Sequence, residues 1–358
     1  MRNTKKPTDG ASLQSDGSGD EPLMAVHSDS LSVVQALRGV LGQIGDQKGA
    51  FLVSRPHLDQ LRDLVSSLSW IESRTLKACV LDERGDFDPW DASPVTQVLD
   101  RLGTPWFQQV MAEQTICYNF QPIAHAITGE IFANEALMRA THASEPITPN
   151  RLIDAAKAHD SLVNLDQLCR KLAIEQSVDY LCGGGRVFIN FFPITVYDPD
   201  VCLGMTFGAA QRVGVDPARL WFEVVESEEF PDLQHLRRIV DYIRGHGAKV
   251  VLDDIGSGNT AILYIDQLEP DVIKIDREVL NRAVETGETS IFIGLIRYAQ
   301  EREIITIAEG VETMKELDFC RELGVNYVQG YLISRPKAEP MTGVIHEDHD
   351  EQTNAEVA

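Results

Sequence analysis

The strongest constraint on the fold is a change in link length along the chain. Apolar runs over Ile116–Ile123 and Ile131–Met138 are separated by little more than His-Ala-Ile-Thr-Gly-Glu, with Thr128-Gly129 at the turn. So short a link joins only antiparallel neighbours, because a parallel crossover needs a dozen or more residues. Six further strands are predicted at Arg186–Phe191, Leu220–Val225, Lys249–Asp253, Val272–Ile275, Ile304–Ala308 and Tyr327–Leu332. Long segments with helical apolar spacing join them, for instance Leu152–Ile174, Leu233–Arg244 and Ile291–Gln300, as parallel crossovers require. The pattern predicts an α/β fold, a TIM-like (β/α)8 barrel whose first strand runs backwards. In such barrels the chemistry gathers at the carboxyl ends of the strands.

Near those ends the strands carry one polar group each, or a pair: Glu135, Asn190, Glu223, Asp253-Asp254, Lys274, Glu309 and Gln329. Ionised side chains in a barrel mouth are costly unless paired or bound to metal. Five carboxylates and two carboxamides, with only Lys274 and Arg139 as cations, leave an excess of negative charge. Hard divalent cations, Mg²⁺ or Mn²⁺, resolve it, since they prefer oxygen ligands. Two such ions about 3.5–4 Å apart are the usual arrangement for phosphodiester hydrolysis, and an adjacent Asp pair suits bridging them.

The stretch from Gln121 to Pro336 resembles the EAL domain family. The matching pieces run in order: QPI at 121–123, EALMR at 135–139, LD at 165–166, FIN at 188–190, FEVVES at 222–227, DDIGSG at 253–258, DVIKID at 271–276, AEGVET at 308–313 and QGYLISRP at 329–336. The Glu-Ala-Leu tripeptide alone is uninformative; nine pieces in order and spacing are specific. The resemblance implies a phosphodiesterase acting on cyclic di-GMP with two ions, giving linear 5′-pGpG. It places Glu135, Asn190, Glu223 and Asp253 on one ion and Asp253, Asp254 and Glu309 on the other. Lys274, Glu309 and Glu135 would be catalytic, with Lys274 and Glu309 polarising the attacking water. Gln121, Leu137, Arg139, Asp276, Gln329 and Arg335 would contact substrate, and Glu226 would anchor the loop after Asp254. Family precedent also implies a homodimer formed through the barrel. The chain departs from the family at Ile255, usually Phe, and at Ser257 and Asn259-Thr260-Ala261, where loop behaviour rather than chemistry is affected. A non-catalytic cyclic di-GMP receptor is the alternative, but such receptors usually lack ligands that this chain retains.

The remaining segments carry no chemical motif. Residues 1–30 and 341–358 read as disordered tails, the second acidic. Residues 31–111 read as a small α/β or mostly helical segment of regulatory or dimerising role, followed by the barrel over 112–340. A formal net charge of −23 argues against a surface that grips a nucleic-acid polymer. No apolar run approaches the roughly 20 residues of a membrane span. The N-terminus lacks a secretory pattern, and six scattered cysteines form no metal or disulfide spacing, so a cytoplasmic location is expected.

Overall fold

The computed structural model describes residues 22–41, 46–47, 50–82, 84–225, 232–256 and 261–345. The chain divides into two compact units, the first reaching Pro105 and also taking Lys157–His159, the second made of Trp106–Ala156 and the residues from Asp160 on. The expected boundary at 111/112 is therefore too late. Helix Trp106–Glu113 sets Phe107 and Val110 into the barrel's own core.

The first unit is a five-stranded antiparallel sheet with helices at Leu31–Leu41, Leu58–Ser67, Trp70–Thr75 and Val95–Gly103. The strand Pro22–Ser28 lies at its centre, between Ala50–Ser54 and Leu76–Val80. This corrects the expected tail over 1–30. Polar composition averaged over thirty residues conceals a short apolar run in which Met24, Ala25 and Val26 are buried. Val33, Leu37, Leu61, Leu76, Val95 and Val98 close the core over one face of the sheet.

The second unit is a closed eight-stranded barrel. Its strands are β1 (Ile116–His125), β2 (Ile131–His142), β3 (Val187–Asn190), β4 (Leu220–Val225), β5 (Lys249–Ile255), β6 (Val272–Ile275), β7 (Ile305–Ala308) and β8 (Tyr327–Val328). Neighbours from β2 through β8 run parallel, and β1 pairs antiparallel with both β2 and β8. The backward first strand is thus as expected. The eighth strand is shorter than expected, because the chain turns from Gly330, whose carbonyl accepts from Ile333 N and Ser334 N. The expected helix over Leu152–Ile174 is two helices, Pro149–Ala158 and Leu162–Gln176, broken where Asp160 adopts φ 52°. Residues 341–345 also belong to the barrel rather than to the expected tail: Ile131 N donates to Gly343 O and Ile345 N to Gly129 O.

Inside the barrel the side chains form two layers. The lower layer is apolar and comprises Ile123, Ala133, Phe188, Trp221, Val251, Val272 and Ile307, with Tyr327 packed against it. Two residues further toward the mouth on each strand stand Gln121, Glu135, Asn190, Glu223, Asp253, Lys274, Glu309 and Gln329. The two-residue period of a strand explains the stacking, since positions i and i+2 face the same way. The backward β1 obeys the same rule in reverse, with Gln121 preceding Ile123. Alternate residues such as Phe222, Val224, Leu252, Ile273 and Ile275 face the outer helices.

Candidate active site

Lys274 is the centre of the polar layer. It is 1% exposed, and its Nζ stands 2.8 Å from Glu309 Oε1, 2.9 Å from Glu223 Oε1, 3.0 Å from Asp253 Oδ1 and 3.2 Å from Glu135 Oε2. Glu135 is held on both oxygens: Asn190 Nδ2 donates to Oε1 at 3.0 Å, and Gln329 Nε2 donates to Oε2 at 2.7 Å. Gln121 Oε1 accepts from the same Gln329 nitrogen at 3.4 Å.

Asp253 and Asp254 are consecutive, and strand alternation alone would point them apart. A bulge prevents this. Pairing of β5 with β6 shifts between Leu252 and Ile255, so three steps on β5 match two on β6. Asp254 takes up the extra residue at φ 55°, a left-handed conformation that aspartate tolerates better than most residues. Carboxylate oxygens of Asp253, Asp254 and Glu309 consequently lie within 4.8 Å of one another.

The electrostatics are those of an under-neutralised site. Burial pushes the Glu223 carboxyl well above its ordinary value, and the Glu135 carboxylate adds to this. Burial likewise raises Glu309 to about 8 and Asp254 to about 6, with Asp253 repelling both, and it raises Asp253 itself. Glu135 alone is lowered: burial acts upward, but Lys274, Gln329 and Asn190 together outweigh it. Burial acts downward on Lys274, yet the carboxylates around it hold the ammonium charged well above the usual lysine range. Fully ionised, five carboxylates against one ammonium leave four negative charges, which two divalent cations would offset. The donor set fits such ions. Glu223 Oε2 and Gln329 Oε1 are buried without a hydrogen bond, Glu223 Oε1 and Asp253 Oδ1 face the Lys274 ammonium, and all are hard oxygen ligands.

The structure brings Gln121, Glu135, Leu137, Asp253, Lys274, Glu309 and Gln329 to the wall of one cavity of about 290 Å³. Asn190 and Glu223 bind into the same cluster through Glu135 and Lys274. Three expected substrate contacts stand outside the cavity wall. Arg139 Nη1 donates to the Met138 carbonyl. Asp276 caps helix Arg277–Thr286 by accepting from Glu278 N at 2.7 Å. Exposed Arg335 lies over the Tyr331 ring, 4.3 Å from its centroid. Glu226, Ser257, Asn259 and Thr260 lie outside the described residues, while Ile255 is fully buried in the outer core. Arg277, Glu312 and Tyr331 line the cavity without having been singled out in the sequence. The signal available for them was position alone, just past the ends of β6, β7 and β8.

The family model for the EAL domain matches residues 106–336. A bifunctional diguanylate cyclase/cyclic di-GMP phosphodiesterase, MucR of Pseudomonas aeruginosa, is 26% identical over 239 residues, which cover 64% of this chain and 34% of MucR. The probable cyclic di-GMP phosphodiesterase PdeB of Escherichia coli is 27% identical over 245 residues, 67% of this chain and 47% of PdeB. This chain therefore spans less than half the length of either relative. The structure of the PaMucR phosphodiesterase in complex with c-di-GMP superposes with a TM-score of 0.59 at 26% identity, covering 66% of this chain and 97% of that one. Among the described residues no helix is long and apolar enough to cross a membrane. With its barrel, its ring of strand-end carboxylates and a match over most of its length, the chain belongs to the EAL domain family.

Proposed function

We propose that the barrel hydrolyses one phosphodiester bond of cyclic di-GMP in a metal-dependent reaction, releasing linear 5′-pGpG. The observation that carries this reading is the polar layer itself, in which Glu135, Glu223, Asp253, Asp254 and Glu309 converge around one buried lysine. Glu135, Asn190, Glu223 and Asp253 would hold one ion, and Asp253, Asp254 and Glu309 the other. When bound, two Mg²⁺ or Mn²⁺ ions supply an activated water and offset charge on the leaving oxygen.

The chain's own groups do the rest. Asn190 and Gln329 fix the rotamer of Glu135, so that this ligand is oriented before anything binds. Lys274 keeps its proton and stabilises the negative charge that develops on the phosphoryl oxygens. Glu309, raised to about 8 in the metal-free protein, holds its proton near neutral pH and would become an acceptor for a proton of the attacking water once bound cations have ionised it. The apolar layer beneath excludes water from the floor, which strengthens each of these interactions. Pairing of barrels into a homodimer is part of the same reading.

The test is incubation of the purified protein with cyclic di-GMP and Mg²⁺ or Mn²⁺, with products separated by chromatography. Glu135→Ala and EDTA samples serve as controls. The reading requires pGpG in the intact, metal-loaded sample only. Nucleotide that survives intact but co-elutes with the protein would make the chain a receptor instead.

A further inference from the structure

The cavity wall holds a second cation whose surroundings differ from those of Lys274. Arg277 opens helix Arg277–Thr286, directly after the Asp276 cap. Its side chain lies flat across Gly310, the residue after Glu309: a Cβ on Gly310, at φ +63°, would sit 2.4 Å from Arg277 Cγ. The guanidinium Nη1 meets Glu312 Oε1 at 2.7 Å. Nε and Nη2 have no partner among the described residues, and the side chain is 48% exposed. Tyr331, on the same wall, is 46% exposed and has Arg335 over one face of its ring.

Two features decide what such a group recognises. The Glu312 carboxylate cancels the charge of Arg277, so the pair offers little net attraction to a phosphate and would repel one brought beside the carboxylate. What remains is directional: a planar fork with one edge occupied and its donors on the other edge free. A guanidinium edge of this kind matches the O6 and N7 acceptors of guanine bidentately. Adenine places an amino donor where guanine has O6, so donor would face donor. A partly exposed aromatic ring on the same wall supplies a stacking surface for a base.

We propose that Arg277, oriented by Glu312 and seated on Gly310, reads the O6/N7 edge of one guanine and sets the preference for guanine over adenine. The inference rests on the phosphodiesterase reading above and deepens it. The experiment compares wild type, Arg277→Gln and Arg277→Lys by KM for cyclic di-GMP and by Ki for cyclic di-IMP and cyclic di-AMP as competitors. Cyclic di-IMP retains O6 and N7; cyclic di-AMP has neither O6 nor the guanine pattern. Arg277→Gln should raise the KM for cyclic di-GMP and the Ki for cyclic di-IMP about 10–100-fold, as loss of a bidentate contact does, and leave the Ki for cyclic di-AMP unchanged. Arg277→Lys should not restore the loss, because a single ammonium cannot reproduce the fork. Equal weakening of all three nucleotides, or full restoration by lysine, would identify a phosphate contact and overturn the proposal; no change in any would overturn it also. Circular dichroism checks that the variants fold. A wild-type protein that neither binds nor cleaves cyclic di-GMP sinks the phosphodiesterase reading instead, so the two failures are distinct.

Discussion

Replacing Lys274 by methionine preserves most of the side-chain volume and removes one positive charge from the centre of the site. In the metal-free protein that charge is the common partner of four carboxylates, the nearest at 2.8 Å and the farthest at 3.2 Å. Removing one partner of a buried ion pair costs about 3–5 kcal/mol, because the remaining charge is stranded. In a unit of this size each kcal/mol moves the melting temperature by about 2–4 °C, so the loss should be about 6–20 °C. The loss should also depend on pH, with a definite sign. Raised carboxyls bind more protons in the folded state than in the unfolded one, where they titrate near 4, so stability falls as pH rises across that interval. Glu309 already stands at about 8 with Lys274 present, and without it the carboxyls rise further. The deficit should therefore be largest at pH 8 and small at pH 5. Thermal unfolding in EDTA at both pH values, followed by circular dichroism, measures it. Saturation with Mn²⁺ at a hundred times its Kd should return about 2.7 kcal/mol. A methionine variant that melts with the wild type at pH 8 in EDTA would refute the argument that Lys274 is the counter-ion of the metal-free site.

Three further outcomes are expected. Mn²⁺ binding should release protons, since Glu309 at about 8 and Asp254 at about 6 must ionise to serve as ligands, and affinity should fall as pH drops through that range; calorimetry in buffers of different ionisation enthalpy would show no buffer dependence if this were wrong. Asp166→Asn should cost about 3–5 kcal/mol in denaturant unfolding, because Arg170, fully buried 3.1 Å away, loses its charged partner, and the amide keeps only one oxygen for the two donors Thr195 Oγ1 and Phe192 N. Unchanged unfolding would mean that Arg170 is satisfied without Asp166. Asn190→Ala should lower phosphodiesterase activity about 10–100-fold with little change in folding, since it frees one oxygen of a ligand that Gln329 still holds; full activity in the alanine variant would remove Asn190 from the ligand set.

Much of the barrel was legible because two periods dominate its sequence. The short link at Thr128-Gly129 forces an antiparallel start, and the long amphipathic links that follow admit only parallel crossovers. The strand-end polar groups stood out because each interrupts an apolar strand. Other features were less visible because they arise from tertiary contact. The strand at Pro22–Ser28 is too short to announce itself within a polar stretch, and its burial comes from partners at 50–54 and 76–80. The bulge at Asp253-Asp254 leaves no mark beyond an acidic pair that a simple turn would explain equally well. Arg277, at a helix start, and Glu312, in a loop, carry no spacing that singles them out. Only the passage of Arg277 over Gly310 brings them to the cavity.

The two stacked layers inside the barrel make chemistry and folding share a single register. Each strand that contributes a polar group contributes an apolar one directly beneath it, so a slip of one residue would swap both faces of the strand at once. A slip in β4, for example, would turn Phe222 and Val224 inward in place of Trp221 and Glu223. The floor and the polar group above it would be lost together. Variation that tunes such a protein is therefore confined to the loops above the mouth and the helices outside, where length and sequence can change without moving any strand by a step.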